Sequence, residues 1–467
     1  MSKEFDVIVI GAGPAGEVLA GRIGDRGERS VAIVERELIG GECSFYACMP
    51  SKALLRPAEA IAEARRVPGA AEAVTGDLDV GAVLARRDEV IHDLDDSGQL
   101  PWLEDRGIEL FRVHGRLEGE RRVRIGDAVY EAKDAVVIAT GTGAVMPPIP
   151  GLDEASAWSN REITTAKEVP ESLVVLGGGV VGVEMAQAWS SLGSSVALIE
   201  AEDELLPREE AFAGAALRES LTERGVDVHV GAKAASVSRD GDMIEVELEG
   251  GRKLSGERLL VAVGRKPRTE DLGLSSVGLE DGGYIEVDDQ LRVEGSDWLY
   301  AIGDVNGRSL LTHSGKYQGR LAADHIEGRE VRAVNDGDDA PRVIFTDPQI
   351  AAVGLTEALA KDAGTDLEVV DLSTEGTAGG SFYGHGAGGT TRFIVDAERE
   401  VLVGATFVGP EVADMLQAAT IAVAAAVPLA TLANAVPPFP TRSELWLKFL
   451  EEYEKARPGA NVHSRGR

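Results

Sequence analysis

The stretch Asp6-Val7-Ile8-Val9-Ile10-Gly11-Ala12-Gly13-Pro14-Ala15-Gly16-Glu17-Val18-Leu19-Ala20 decides the fold. Its opening run is β-branched and continuous, the pattern of a parallel strand buried on both faces. Three glycines at GxGxxG spacing follow, then a helical segment. The next apolar strand, Ser30 to Val34, ends at Glu35. Strand, glycine turn, helix, strand and acid in that order form the dinucleotide fingerprint in its full context. Gly11, Gly13 and Gly16 let the backbone approach a pyrophosphate at the helix N-terminus, and Glu35 accepts hydrogen bonds from a ribose.

The pattern recurs. Leu173-Val174-Val175-Leu176 leads into Gly177, Gly179 and Gly182, a helix from Val183, and a strand Ser195 to Ile199 ending at Glu200. Two such units imply two dinucleotides, a flavin and a nicotinamide. Glu200 suits the free 2′-hydroxyl of NAD, because its charge repels a 2′-phosphate. Ala201 to Pro207 contain no Arg or Lys to welcome one, which favours NAD over NADP.

Between the fingerprints lies Gly40-Gly41-Glu42-Cys43-Ser44-Phe45-Tyr46-Ala47-Cys48-Met49-Pro50-Ser51-Lys52, which holds the only two cysteines of the chain. A structural staple across so short a loop adds little stability, and no further Cys or His lies near to complete a zinc site. No metal site is expected. A redox role is the reading left standing. Residues five apart in a regular helix stand ~8–9 Å apart at Cα, too far for a disulfide, so bonding requires the backbone around Cys43 to depart from helix. Gly40, Gly41 and Pro50 fit that departure. A helix starting near Cys48 then sets its positive end against a thiolate.

The chain has 467 residues, enough for about three domains. Lys and Arg total 47 against 79 Asp and Glu, a formal charge of −32. Such a surface repels nucleic acid and anionic membranes, and neither is expected as a partner. The most apolar stretch, Ala418 to Val427, is interrupted by Pro428 and is too short to span a bilayer. Met1 to Glu4 run straight into strand, leaving no room for a signal peptide, and a cytoplasmic location is expected.

These residues resemble the flavoprotein disulfide reductase family (class I pyridine nucleotide-disulfide oxidoreductases), with dihydrolipoamide dehydrogenase as the nearest general pattern. Supporting stretches run along nearly the whole chain. Ala139-Thr140-Gly141 resembles the turn closing the FAD half-domain, and Val263-Gly264-Arg265 its counterpart after the NAD domain. Tyr300-Ala301-Ile302-Gly303-Asp304 resembles the second FAD motif. Phe345-Thr346-Asp347-Pro348 resembles the opening of the dimer-interface domain. The resemblance implies an α/β fold with two Rossmann-like dinucleotide-binding domains, for FAD and NAD, and a C-terminal α+β dimerisation domain. The expected division is FAD 1–150, NAD 151–270, FAD and central 271–335, dimerisation 336–455, and a disordered tail 456–467. In the dimerisation domain the helical stretches Glu411 to Val427 and Arg442 to Tyr453 are expected to pack on a small sheet.

By resemblance, Cys43 is the interchange thiol of a Cys43–Cys48 disulfide and Cys48 the thiolate against the flavin. Lys52 approaches flavin N5, paired with Glu184, and Asp304 holds the ribityl chain. Thr140, Gly141, Gly264, Arg265 and Gly303 line the cofactors. Val180 stands where some relatives gate the flavin with tyrosine. The implied activity passes a hydride between NAD and FAD and on to a small dithiol or disulfide substrate, in a homodimer with its active site across the interface.

One position breaks the pattern. Relatives carry His-Pro-Thr-x-x-Glu near the C-terminus; here the run is Phe439-Pro440-Thr441-Arg442-Ser443-Glu444, with Phe439 at the histidine position. No histidine lies between His385 and His463. Phenylalanine transfers no proton, a step that contributes 10²–10⁴-fold. Glu444 is left either to orient another group, to be solvated, or to pair with Arg442. Two alternatives for the activity follow. The flavin passes electrons directly to a quinone, metal ion or oxygen, or carbon–carbon chemistry occurs at a mixed disulfide, as in the ketopropyl-coenzyme M reductase/carboxylase. The glycine-rich Thr377 to Thr391 is expected to be a mobile loop.

Overall fold

The computed structural model describes residues 4–462 apart from 338, 363, 365, 459 and 461. The chain divides into two compact units. The first comprises Met1–Pro50, Ala85–Val145 and Gly264–Asp338; the second comprises Ser51–Leu84, Met146–Val263 and Asp339–Arg467.

The first unit is built on a seven-stranded sheet. Its order is Ile108–Phe111, Val31–Val34, Glu4–Ile10, Ala128–Ile138, Arg122–Ile125 and Gly115–Leu117, with Leu299–Ala301 also pairing to Ala128–Ile138. The strands at the fingerprint are parallel, with Val7 to Ile10 opposite Val31 to Val34 on one side. Because both faces are covered, their residues are apolar throughout; Val7, Ile8 and Val9 are fully buried. Helix α1 (Pro14–Gly24) follows, with Pro at its first position. The cysteine segment supplies α2 (Gly41–Phe45) and the start of α3 (Cys48–Arg66).

In the second unit, Asp227–His229, Ser195–Ile199, Ser172–Leu176 and Arg258–Val261 form a parallel sheet. Helix α4 (Val180–Ser191) packs over it, burying Val183, Met185 and Trp189. The same core takes Leu54, Leu55, Val83 and Leu84. Residues 51–84, expected in the FAD segment 1–150, cluster here instead, with Leu54, Leu55, Val83 and Leu84 sharing this buried core. The boundaries at 145/146 and 263/264 likewise sit several residues before the expected 150/151 and 270/271.

Helix α5 (Thr312–Ile326) completes the first unit and packs on α1. The approach is close: a Cβ at Gly319 would lie 2.6 Å from the Ala15 carbonyl oxygen, so only glycine fits. In the second unit, a five-stranded antiparallel sheet runs Arg342–Ile344, Gln349–Gly354, Val401–Gly409, Thr390–Asp396 and Leu367–Ser373. Helices α6 (Leu416–Ala424) and α7 (Leu445–Ala456) bury Leu416, Ala419, Phe449 and Tyr453 against Phe393 and Phe407.

Three expectations change. The helix expected from Glu411 begins as a 3-10 turn, Val412–Met415, and becomes α-helix only at Leu416, because Glu411 sits at φ +52°. The expected loop Thr377 to Thr391 is fastened: it carries a turn at Gly380–Tyr383, His385 N–H donates to the Arg66 carbonyl, and Tyr383 lies beneath the Arg442 guanidinium at 4.7 Å. The expected disordered tail 456–467 is ordered at its start, since Ala456 closes α7 and Arg457 bonds Asp366 and Glu368; 459, 461 and 463–467 lie outside the described residues. Among the described residues, no helix is long and apolar enough to cross a membrane.

Candidate active site

Gly40 and Gly41 take positive φ, +106° and +58°. They lay the cysteine loop on the first fingerprint, where a Cβ at Gly41 would stand 2.9 Å from the Gly13 Cα. Helix α2 then stops at Tyr46 (φ −132°, ψ 1°), and α3 starts at Cys48. This break sets the two cysteine side chains near enough to interact. Cys48 Sγ lies 3.3 Å from Thr312 Oγ1, at the first turn of α5. The Cys43 thiol is pushed well above its ordinary pKa, first by its interaction with Cys48 and then by burial; Thr312 and the Lys316 ammonium pull the other way.

The glycine turns fit dinucleotides. Cβ atoms at Gly11 and Gly16 would collide with the carbonyl oxygens of Ala139 and Gly11, and those at Gly177 and Gly182 with Ala262 and Gly177. Gly13 and Gly179, in contrast, face open space, and each caps a helix of eleven or twelve residues without any side-chain cap. Uncapped N–H groups at an open glycine are the cradle a pyrophosphate needs. Glu35 accepts from the N–H of Ala12 (2.8 Å) and of Glu37 (2.7 Å). Glu200 does the same with Gly178 and Glu202. In each unit the acid thus pins its glycine turn.

Thr140 Oγ1 is buried with no partner, beside Gly141, whose Cβ side is open; Gly264 is open as well. Asp304, next to Gly303 (φ +74°), accepts from Thr142 Oγ1 at 2.7 Å, and Arg265 Nε donates to the same hydroxyl at 2.7 Å. Burial lifts the Asp304 carboxyl above its ordinary range. A half-buried acid and an orphan hydroxyl are groups that a polar cofactor chain can satisfy. Arg268 Nη2 also donates to Glu42 at 2.7 Å, tethering the residue before Cys43.

In the second unit, Lys52 Nζ stands 2.7 Å from Glu184 Oε2 and 4.9 Å from the Phe345 ring centroid. Glu184 is 2% exposed, and its other oxygen accepts the Phe345 N–H at 3.0 Å. Val180 is exposed at the first position of α4. Phe439 is 76% exposed and Val436 86%, together forming an apolar turn. Glu444 does not pair with Arg442: the guanidinium is taken by Tyr383 and the Pro410 carbonyl, while Glu444 Oε2 is buried without a partner. Among the described residues no cluster of three His, Cys, Asp or Glu exists to hold a metal.

The model of the pyridine nucleotide-disulphide oxidoreductases matches residues 5–319, and that of their dimerisation domain matches 340–448. The chain belongs to this family. It is 34% identical to a dihydrolipoyl dehydrogenase of Thermus scotoductus, over 97% of this chain and 98% of the relative. It is 31% identical to a mercuric reductase of Bacillus cereus, over 94% of this chain and 70% of the relative. Among solved structures it resembles the Cu(II) complex of the HOCl-induced flavoprotein disulfide reductase RclA from Escherichia coli, with TM-score 0.84, 26% identity, and 96% and 99% of the two chains covered. It is thus an FAD-dependent disulfide oxidoreductase that uses NAD or NADP and carries the family's dimerisation domain.

Thr312, Lys316, Thr142 and Glu42 were missed by reading the sequence. Thr312 and Lys316 follow Asp304 at the start of an amphipathic helix, and that placement was the one available signal.

Proposed function

We propose that this protein is an NADH-dependent flavoprotein disulfide reductase that delivers electrons through Cys43 and Cys48 to a small disulfide, and that it works as a homodimer. The observation that carries this reading is the cysteine pair at the break between α2 and α3, with Thr312 against Cys48. FAD, when bound, relays two electrons between the nicotinamide and the sulfur pair. The first fingerprint with Glu35, the Thr140 turn and Asp304 hold it, and the second fingerprint with Glu200 holds NAD. Glu200 is 9% exposed and its carboxylate repels a 2′-phosphate.

Cys43 attacks the substrate disulfide and forms a mixed disulfide with it. Cys48 then attacks Cys43, releases the second substrate thiol and closes the Cys43–Cys48 bond. Lys52, fixed by Glu184, supplies positive charge where negative charge accumulates. The exposed Phe439 turn is presented across the dimer interface and excludes water without moving protons. Any proton taken by the leaving thiolate comes from elsewhere.

Phe439 also favours a second reading, in which the acceptor is a metal ion or quinone that needs no proton from this turn. The relatives named for mercury and copper make that acceptor class the natural comparison. A panel of lipoamide, low-molecular-weight disulfides, quinones, Cu(II), Hg(II) and oxygen, run with NADH and with NADPH, decides between them. Turnover on disulfides with NADH at least tenfold above NADPH is expected. Turnover confined to quinones or metal ions replaces the first reading by the second.

A further inference from the structure

The Gly303 turn that carries Asp304 is held by a chain of buried polar groups within the first unit. Gly303 takes φ +74°. Glycine visits both signs of φ about equally, so this geometry has to be selected by the groups around it. The Gly303 N–H donates to Gln318 Oε1 at 2.7 Å, and Asn306 Nδ2 donates to the same oxygen at 2.9 Å. Gln318 Nε2 donates in turn to Asp336 Oδ2 at 2.8 Å, while Arg308 Nη2 donates to Asp336 Oδ1 at 2.9 Å. Gln318 is fully buried and Asp336 is 1% exposed. Helix α5 brings its own backbone up as well: a Cβ at Gly315 would stand 3.3 Å from the Gly303 Cα.

This chain works in one orientation. A backbone N–H can only donate, and a carboxylate paired with a guanidinium only accepts. The Gln318 amide must therefore turn its oxygen to Gly303 and its nitrogen to Asp336. On the other side of the turn, Asp304 accepts from Thr142 Oγ1.

We propose that Gln318 and Asp336 are positioning residues for the FAD site: Asp336 orients the Gln318 amide, and the amide locks the Gly303 turn that presents Asp304 to the cofactor. The proposal rests on the reading of Asp304 as an FAD contact, which Asp304→Ala tests by itself.

The test exchanges donor and acceptor. Its readout is the release of FAD from the diluted holoprotein, followed as the rise in flavin fluorescence, and it needs neither NADH nor an electron acceptor. Gln318→Glu sets two carboxylates face to face, and Asp336→Asn sets two amide nitrogens face to face. Each should speed FAD release about tenfold, the effect of one spoiled buried hydrogen bond. The double variant again faces an acceptor at 318 with a donor at 336, leaves an oxygen for Arg308, and should return to within about threefold of the parent. Should Gln318→Glu fail to fold, Asp336→Asn against the double variant carries the same comparison. In an Asp304→Ala background the single changes should speed release by less than about twofold, because their route to the cofactor is gone, whereas a general packing lesion adds in full. Unchanged release from Asp304→Ala overturns the reading of Asp304 and the proposal with it. Fast release from Asp304→Ala overturns the proposal alone if the single variants match the parent, if the double variant is no slower than Asp336→Asn, or if the effects add in full.

Discussion

Lys52 and Glu184 offer the sharpest energetic test, because one partner is almost fully buried and the other is about a third exposed. Removing the lysine as Lys52→Met leaves the Glu184 carboxylate inside the second unit with a single donor, the Phe345 N–H. Stranding one member of a buried ion pair costs about 3–5 kcal/mol. The exposure of Lys52 lets water reach the vacated position, which brings the expected loss to about 2 kcal/mol. Glu184→Gln keeps an acceptor for Phe345 but faces Lys52 with an amide, at about 1–2 kcal/mol. The double variant carries neither stranded charge, so it should lose less than the sum, leaving a coupling energy of about 1–2 kcal/mol. Urea unfolding of all four proteins, followed by tryptophan emission at pH 7, measures the cycle. A coupling below about 0.3 kcal/mol would refute the argument that the pair is held as a unit.

Phe439→His should raise turnover on alkyl disulfides at least tenfold if proton transfer is what this turn lacks, the buried Oε2 of Glu444 being available to orient the imidazole; unchanged turnover on lipoamide counts against it. Glu17 gives a pH signature in the apoprotein. Its folded carboxyl sits at about 7 against an ordinary 4.5, so the folded state binds the proton more tightly. That contribution is full below pH 4.5 and is lost as pH rises through 7, which makes Glu17→Gln relatively more stable at pH 8 than at pH 5, by about 2 kcal/mol. Equal effects at both pH values would show the carboxyl is not lifted. Finally, a formal charge of −32 implies self-repulsion that salt screens, so Tm should rise between 0.05 and 1 M KCl; a falling Tm contradicts this.

The parts legible in the sequence are those whose chemistry is local. Val7 to Ile10, the glycine spacing and the terminal Glu35 each constrain their neighbours within thirty residues, and the structure places them on adjacent parallel strands. A helix starting near Cys48 was also readable, but the departure from helix expected around Cys43 falls instead at Tyr46, because Cys43 itself lies inside the short α2. What could not be read is what the fold brings together over long separations. Thr312 meets Cys48 from 264 positions away. The Asp347 carboxylate, buried between Arg66 and Arg224, belongs to the same class. Residues 51–84 fall with the second unit, where Leu54 and Leu84 join the buried core that also takes Trp189. A Glu444–Arg442 pair is one of the options that proximity in sequence offers, and the ring of Tyr383, some sixty residues earlier, takes the guanidinium instead.

An oxygen-free NADH titration of the FAD-loaded protein, read by visible absorbance, addresses the sulfur pair most directly. If Cys43 and Cys48 take electrons from the cofactor, one equivalent of NADH should produce a long-wavelength band from thiolate beside oxidised flavin, and Cys48→Ala should lose it. Simple bleaching of the flavin in the parent, with no such band at any point of the titration, would contradict the account.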